Sequence, residues 1–184
     1  MFKHVIDDET ELRLLEPRHA SELFALVDEN REHLRRWLPW VDATKTVEDS
    51  RRFLLRQLRA FAQALGVTAG IWHKGQLAGV IGLHVRPLNR RAEIGYWLGE
   101  AFQGKGLMTK ACKALIDYAF TELKLHRIEI HCAVSNTRSR AIPERLGFQQ
   151  EGVLREATWT SSGFDDLVVY GMLAHEWAAY RKQH

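Results

Sequence analysis

The hydrophobic pattern of the chain changes period at Gly106, and that change limits the fold more than any other feature. Before it, the runs Val67 to His73, Gln76 to Arg86 and Arg91 to Gly99 read as strands, the first two joined by Lys74-Gly75 in a hairpin-like turn. After it, Met108, Ala111, Cys112, Leu115, Ile116, Ala119 and Phe120 recur at helical spacing and make one apolar stripe. His126 to Val134 then returns to a strand pattern. A strand, a buried helix and a strand in that order predict parallel neighbours, with the loop between them at the carboxyl end of the first strand, where ligands bind in such units.

The flanking segments complete a mixed α+β order. Thr10 to Glu16 alternates as a short strand, and Pro17 opens a helical stretch carrying Ala20, Leu23, Phe24, Val27, Leu34 and Trp37, which Pro39 ends. Thr46, followed by Glu48 and Asp49, predicts a capped helix running through Phe53, Leu54, Gln57, Leu58 and Phe61 to Gly66. Ser139 to Leu146 reads as a short helix, and Phe148 to Thr160 with Leu167 to Leu173 as strands around the turn Ser161-Ser162-Gly163. With 184 residues, 46% of them hydrophobic, and no repeat or low-complexity linker, the expectation is one domain over residues 1–184.

The formal charge of +3 is spread along the chain, so electrostatics predict only a mild preference for anionic partners. Cys112 and Cys132 are too few for a disulfide framework and lack zinc-ligand spacing, which points to a reducing, cytoplasmic setting. The start, Met1 to Asp8, has no leader pattern, and no later apolar run is long enough to span a bilayer; a membrane location is not expected. The histidines His73, His84, His126 and His131 are scattered, with no metal-binding pair beside a carboxylate, so they read as structural and no metal is expected.

The loop Gln103-Gly104-Lys105-Gly106-Leu107-Met108-Thr109 lies where a strand hands over to the amphipathic helix. Unpaired backbone N–H groups and the helix dipole converge there and suit an anion. Two glycines let the backbone come close to a diphosphate, and Lys105 and Thr109 can add a charge and a hydroxyl. Alternatively, Gly104 and Gly106 simply make a tight turn. The Lys-Ser/Thr of a P-loop and the spacing of a dinucleotide fingerprint are both missing, which argues against nucleoside triphosphates and NAD.

With these residues in view, the sequence resembles the GNAT superfamily of N-acetyltransferases. Its signature, Gln/Arg-x-x-Gly-x-Gly/Ala, is met at Gln103 and Gly106, while Met108 departs from the last position. Ala92-Glu93-Ile94-Gly95-Tyr96-Trp97-Leu98-Gly99, Asn136-Thr137-Arg138-Ser139 and Arg145-Leu146-Gly147-Phe148 stand at the family's positions too. Within it, Glu93 to Thr109 and Asn136 to Arg155 are similar to RimL-type enzymes, and Arg31 to Asp42 to that subgroup's early helical region. The likeness runs from about Thr10 to Trp177, and Met at position 108 is familiar in the subgroup.

The resemblance implies a central, mostly antiparallel twisted sheet flanked by helices, acetyl-CoA as cofactor, and direct transfer of acetyl to an amine. It gives the loop Gln103 to Thr109 the cofactor's pyrophosphate. The strand ending in Tyr96, Trp97 and Leu98 would splay from its neighbour near a bulge, holding the pantetheine and polarising the thioester through its backbone amides. Asn136 would contact the pantetheine arm and Ser139 the leaving thiolate; helix capping is the other reading of both. Many members carry an acidic tyrosine four residues after Ser139, where this chain has Pro143, so the task passes to Ser139. Glu93 falls where some members keep a general base, with a salt-bridged strand residue as the alternative. A second carboxylate of RimL-type proposals would align near Thr158, which cannot take a proton.

The substrate follows from proton energetics. Freeing an α-amine of pKa about 7.7–8.0 at about pH 7.4 takes less than roughly 1 kcal/mol, against roughly 4 for a lysine side chain of pKa about 10.4. A weak base therefore favours N-terminal α-amines, and the subgroup implies an acidic ribosomal protein as acceptor and a homodimer as assembly. A small-amine acetyltransferase and a non-catalytic acyl-CoA sensor are the alternatives. Arg31, Arg35, Arg36, Trp37 and Trp40 read as a solvated face and groove, not as a nucleic-acid contact.

Overall fold

The computed structural model describes residues 3–183; Met1, Phe2 and His184, part of the expected single domain, lie outside the described residues. The chain opens with a hairpin, β1 (Lys3–Asp7) and β2 (Thr10–Leu14), of which the sequence reading held only the second strand. A 3₁₀ turn at Pro17–His19 leads into α1 (Ala20–Glu29) and the single turn α2 (Arg31–Leu34). The helix expected to run through Trp37 therefore stops early. Asn30 breaks it: its side chain donates to the Leu26 carbonyl at 2.8 Å and accepts from the Glu100 N–H at 2.8 Å, tying the break to the loop ahead of the phosphate turn.

Helix α3 (Val47–Ala62) starts as predicted, with a reciprocal capping box in which the Asp49 N–H donates to Thr46 Oγ1 and the Thr46 N–H to the Asp49 carboxylate. Then come β3 (Gly66–His73), β4 (Gln76–Arg86), β5 (Arg91–Leu98), α4 (Leu107–Thr121) and β6 (Arg127–Ala133). The chain closes with α5 (Thr137–Arg145), β7 (Gln149–Thr160), β8 (Gly163–Leu173) and α6 (Ala174–Tyr180). The last helix was not foreseen; its seven residues are too few to show a period. The Trp177 indole donates to Asp117 of α4 at 2.8 Å and fixes it.

Among the described residues the strands form one sheet in the order β1-β2-β3-β4-β5-β6-β8-β7. Every pairing is antiparallel except β5 with β6, the parallel pair that the strand-helix-strand order predicts. Alternation along the strands divides the side chains between two faces. Ala92 and Ile94 of β5 and Ile128, Ile130 and Cys132 of β6 join the larger core with the stripe of α4, α5 and α6. On the opposite face α1 and α3 pack Leu23, Leu26 and Leu54 against Trp72, Leu77 and Val80. Glu93, Gly95, Glu129 and His131 point to that second face, and Glu93 keeps 42% of its side chain exposed.

Candidate active site

The β5–β6 ladder is short. It pairs Arg91 with Arg127 through Ile94 with Ile130 and then stops, although β5 runs on to Leu98 and β6 to Ala133. Each strand keeps its other neighbour, β5 pairing with β4 as far as Leu98 and β6 with β8 as far as Ala133. A wedge thus opens inside the sheet, with backbone groups of Gly95 to Leu98 along one lip. The bulge expected beside it is missing: the β4–β5 register is unbroken from Gly79↔Leu98 to Arg86↔Arg91, so the splay comes from β5 and β6 parting. At Gly95 a Cβ would meet nothing within 4 Å.

At the mouth of the wedge stands the amino end of α4. Gly104 and Gly106 both have φ +73°, the left-handed region, and a Cβ at either would enter open space. Gly106 is the N-cap residue; no side chain caps this helix, and its first turn holds no acid. The orphan N–H groups and positive dipole end are therefore available to an anion. Leu107 and Met108 are buried, Met108 within the larger core, so only their backbone can serve here. This accounts for the departure from the signature: the side chain at 108 points away from the anion. Thr109 is half-buried, and exposed Lys105 places its Nζ 5.5 Å from the Phe102 ring centre.

Gln103 differs from expectation in one respect. Its side-chain amide is engaged within the protein, 2.7 Å from His33 Nε2 and accepting from Arg138 at 2.5 Å. That contact brings the guanidinium of Arg138, in the first turn of α5, to the loop. No sequence pattern marks this cation for a role, because only the packing of α5 against α4 brings it there. On the other side of the loop, a groove of about 680 Å³ runs past Lys105, Lys110, Phe102 and the β1–β2 and β3–β4 turns.

Inside the wedge, on the α4 and α5 side, three polar groups meet. Ser139 Oγ lies 3.2 Å from Cys132 Sγ and donates to the Tyr96 hydroxyl at 3.3 Å, and that hydroxyl donates to the Ser139 carbonyl at 3.0 Å. The last bond answers the puzzle of Pro143, which lies inside α5. Proline has no N–H for the carbonyl four residues before it, and that carbonyl belongs to Ser139. Tyr96, noted from sequence only for its backbone, supplies the missing donor. Burial pushes the Tyr96 phenol well above its usual range and also raises the Cys132 thiol, so both stay protonated. Asn136 is the N-cap of α5, its side-chain oxygen accepting the Ser139 N–H at 3.2 Å, which leaves its amide NH₂ for a ligand. Ser139 itself is not a cap.

Trp97 and Leu98 lie on opposite faces: Leu98 packs on the larger core, and Trp97 sits between the α1–α3 clusters with Trp40 at 6.0 Å. On the same face as Trp97, Glu93 and His131 approach to 3.7 Å. The β7–β8 hairpin reaches over toward α2, where the Ser161 N–H donates to the Arg36 carbonyl at 3.2 Å. Near its tip Trp159 and Phe164 meet edge to face at 4.8 Å and are both exposed. Thr158 pairs with Asp165 beside a bulge in β7, and no carboxylate takes its place at position 158.

Known proteins resemble this chain in sequence and fold. The model of the acetyltransferase (GNAT) domain matches residues 10–149. YdaF of Bacillus subtilis, a candidate ribosomal N-acetyltransferase, is 40% identical over 96% of this chain and 98% of its own length. The ribosomal-protein-serine acetyltransferase of Escherichia coli is 31% identical over 91% of this chain and 94% of its own. The structure of RimL, a ribosomal-protein α-N-acetyltransferase in complex with coenzyme A, superposes with a TM-score of 0.91 over 95% of this chain and 99% of that one, at 27% identity. A parted parallel strand pair, an uncapped helix start at its mouth and a family match across most of the chain agree: the chain belongs to the GNAT acetyltransferase family and is an acetyl-CoA-dependent N-acetyltransferase.

Proposed function

We propose that this enzyme acetylates the N-terminal α-amine of a ribosomal protein. The observation that carries the proposal is the extent of the likeness: the relatives named for ribosomal proteins match from end to end, early helices and terminal hairpin included. Those two regions, Arg31 to Trp40 and the Trp159–Phe164 hairpin, frame the face onto which Glu93 points. A framed, partly exposed face suits a flexible peptide end.

Bound acetyl-CoA supplies an activated acetyl group and a thiolate leaving group. The chain's residues fit it. The N–H groups of Gly104 to Thr109, with Lys105 and Arg138 beside them, hold the pyrophosphate; each charge-assisted hydrogen bond contributes about 1.5–3 kcal/mol. The free lip of Gly95 to Leu98 and the Asn136 amide hold the pantetheine arm and orient the thioester carbonyl. Ser139 would hydrogen-bond the departing sulfur, its hydroxyl positioned 3.3 Å from that of Tyr96, which burial keeps protonated. Glu93 draws the amine to the opposite face.

The test is thiol release from acetyl-CoA with peptides bearing free N-terminal serine, alanine or threonine, beside lysine-only peptides and spermidine. Turnover confined to the N-terminal peptides is expected. Turnover on spermidine alone would make this a small-amine enzyme, and cofactor binding without thiol release from any amine would make it a sensor.

A further inference from the structure

We propose that His131 is the base that takes the proton from the acceptor amine, with Glu129 as the residue that positions it. This rests on the reading of the chain as an amine acetyltransferase and assigns a step that no carboxylate at position 158 can perform.

His131 is the first residue of β6 beyond the last rung shared with β5, so it stands at the edge of the wedge. Cys132, next in the strand, points to the Ser139 side, and His131 to the other. Gly95, the first residue of β5 beyond the same rung, faces the same way and leaves open space beside the ring. His131 Nε2 lies 3.1 Å from Glu129 Oε2, and Nδ1 lies 3.7 Å from Glu93 Oε1. Glu129 is fixed by Arg127 Nε at 2.8 Å and Arg91 at 3.2 Å, and Arg127 is paired in turn with Glu151 of β7. Val169 of β8, opposite His131 in the ladder, adds no charge.

Burial pushes the Glu129 carboxyl up, but the Arg127 hydrogen bond and the charges of Arg127, Arg91 and His131 outweigh it and hold it below its usual range. An ionised acceptor fixed at Nε2 selects the Nε2–H tautomer and leaves the Nδ1 lone pair on the side of Glu93, 3.7 Å away. Once Nδ1 is protonated, half-buried Glu93 stabilises the imidazolium and passes the proton to water. The proton account closes: an acceptor ammonium loses two protons as the N–C bond forms and the C–S bond breaks. One leaves through His131 Nδ1 before the attack and one after it, each passing to water, and the thiolate, hydrogen-bonded by Ser139 on the other face of the sheet, takes a proton from solvent.

The test compares His131→Gln and Glu129→Gln with the wild type in thiol release with a peptide bearing a free N-terminal serine, across pH. Without a base only the neutral amine reacts, and an α-amine has pKa about 7.7–8.0. The kcat/KM of His131→Gln is therefore expected at about a tenth of wild type or less near pH 6.5, rising to within about twofold near pH 9. Acetyl-CoA affinity should not change, and Glu129→Gln should show the same closing gap in milder form. A ratio to wild type that is constant across pH in both variants would overturn the proposal. A wild type inert toward the peptide would instead sink the N-terminal reading; the ratios are then read with spermidine, where the gap must close at a correspondingly higher pH if His131 is the base.

Discussion

The Tyr96 hydroxyl and Pro143 form a compensating pair, and a double-mutant cycle measures it. In the native chain the Ser139 carbonyl has no helical donor, because position 143 is proline, and the phenol at 3.0 Å is the donor it has. Tyr96→Phe removes that donor from a part-buried carbonyl, for which about 1–2 kcal/mol is reasonable, toward the lower end of the range for an unpaired buried acceptor. Pro143→Ala restores the N–H that the helix would otherwise supply. In that background the same Tyr96→Phe change leaves the carbonyl paired, so its cost should fall by about 1 kcal/mol. Urea unfolding of the four proteins gives this coupling directly. Additivity within about 0.3–0.5 kcal/mol would refute the idea that the phenol stands in for the missing N–H. The same four proteins separate support from chemistry. If Tyr96 also positions the Ser139 hydroxyl for the departing sulfur, kcat stays low for Tyr96→Phe in both backgrounds. Recovery of kcat alongside Pro143→Ala would leave the phenol only a structural role.

Ser139→Ala should lower kcat by about tenfold to a hundredfold while acetyl-CoA affinity, read by calorimetry, holds; an unchanged kcat would leave the hydroxyl a packing partner of Cys132 and Tyr96. Gly106→Ala meets no steric obstacle at its φ of +73° but places an L-residue in the left-handed region, so about 1 kcal/mol of stability should be lost. Its Cβ would also stand at the anion site, and the KM for acetyl-CoA should rise; an unchanged KM would move the pyrophosphate elsewhere. Asp7 has its pKa lowered from 3.8 to about 2, chiefly by the hydrogen bond from Lys110 at 2.7 Å. A depressed carboxylate pKa adds stability that is full above the unfolded value and is lost as pH falls toward about 2. Asp7→Asn should therefore differ from wild type in thermal unfolding near pH 5 and converge with it near pH 2; parallel curves would show that the pair contributes nothing.

The fold was legible where one residue pattern decides one element. The change of period at Gly106 placed α4 and the parallel pair, and Thr46 with Asp49 placed the start of α3, because a cap is a contact between near neighbours in sequence. Pattern reading failed where a distant partner decides. The helix after Pro17 has an unbroken apolar period, yet Asn30 ends it by bonding to Glu100 across seventy residues. The site divides in the same way. The glycine loop is local and was legible, whereas the roles of Arg138, Tyr96 and His131 come from neighbours that the sheet supplies. Tyr96 becomes a side-chain donor only because β5 and α5 share a face, and His131 gains Glu93 and Glu129 only because the β5–β6 rungs end where they do. Strand parity carries the last step. Two consecutive residues of β6, His131 and Cys132, must lie on opposite faces, so an amine approaching the first and a thiolate leaving beside the second are separated by the sheet itself. A single rung of slippage between β6 and β8 would exchange those faces, which ties the register His131↔Val169, and not the mere presence of the two side chains, to the direction of acetyl transfer.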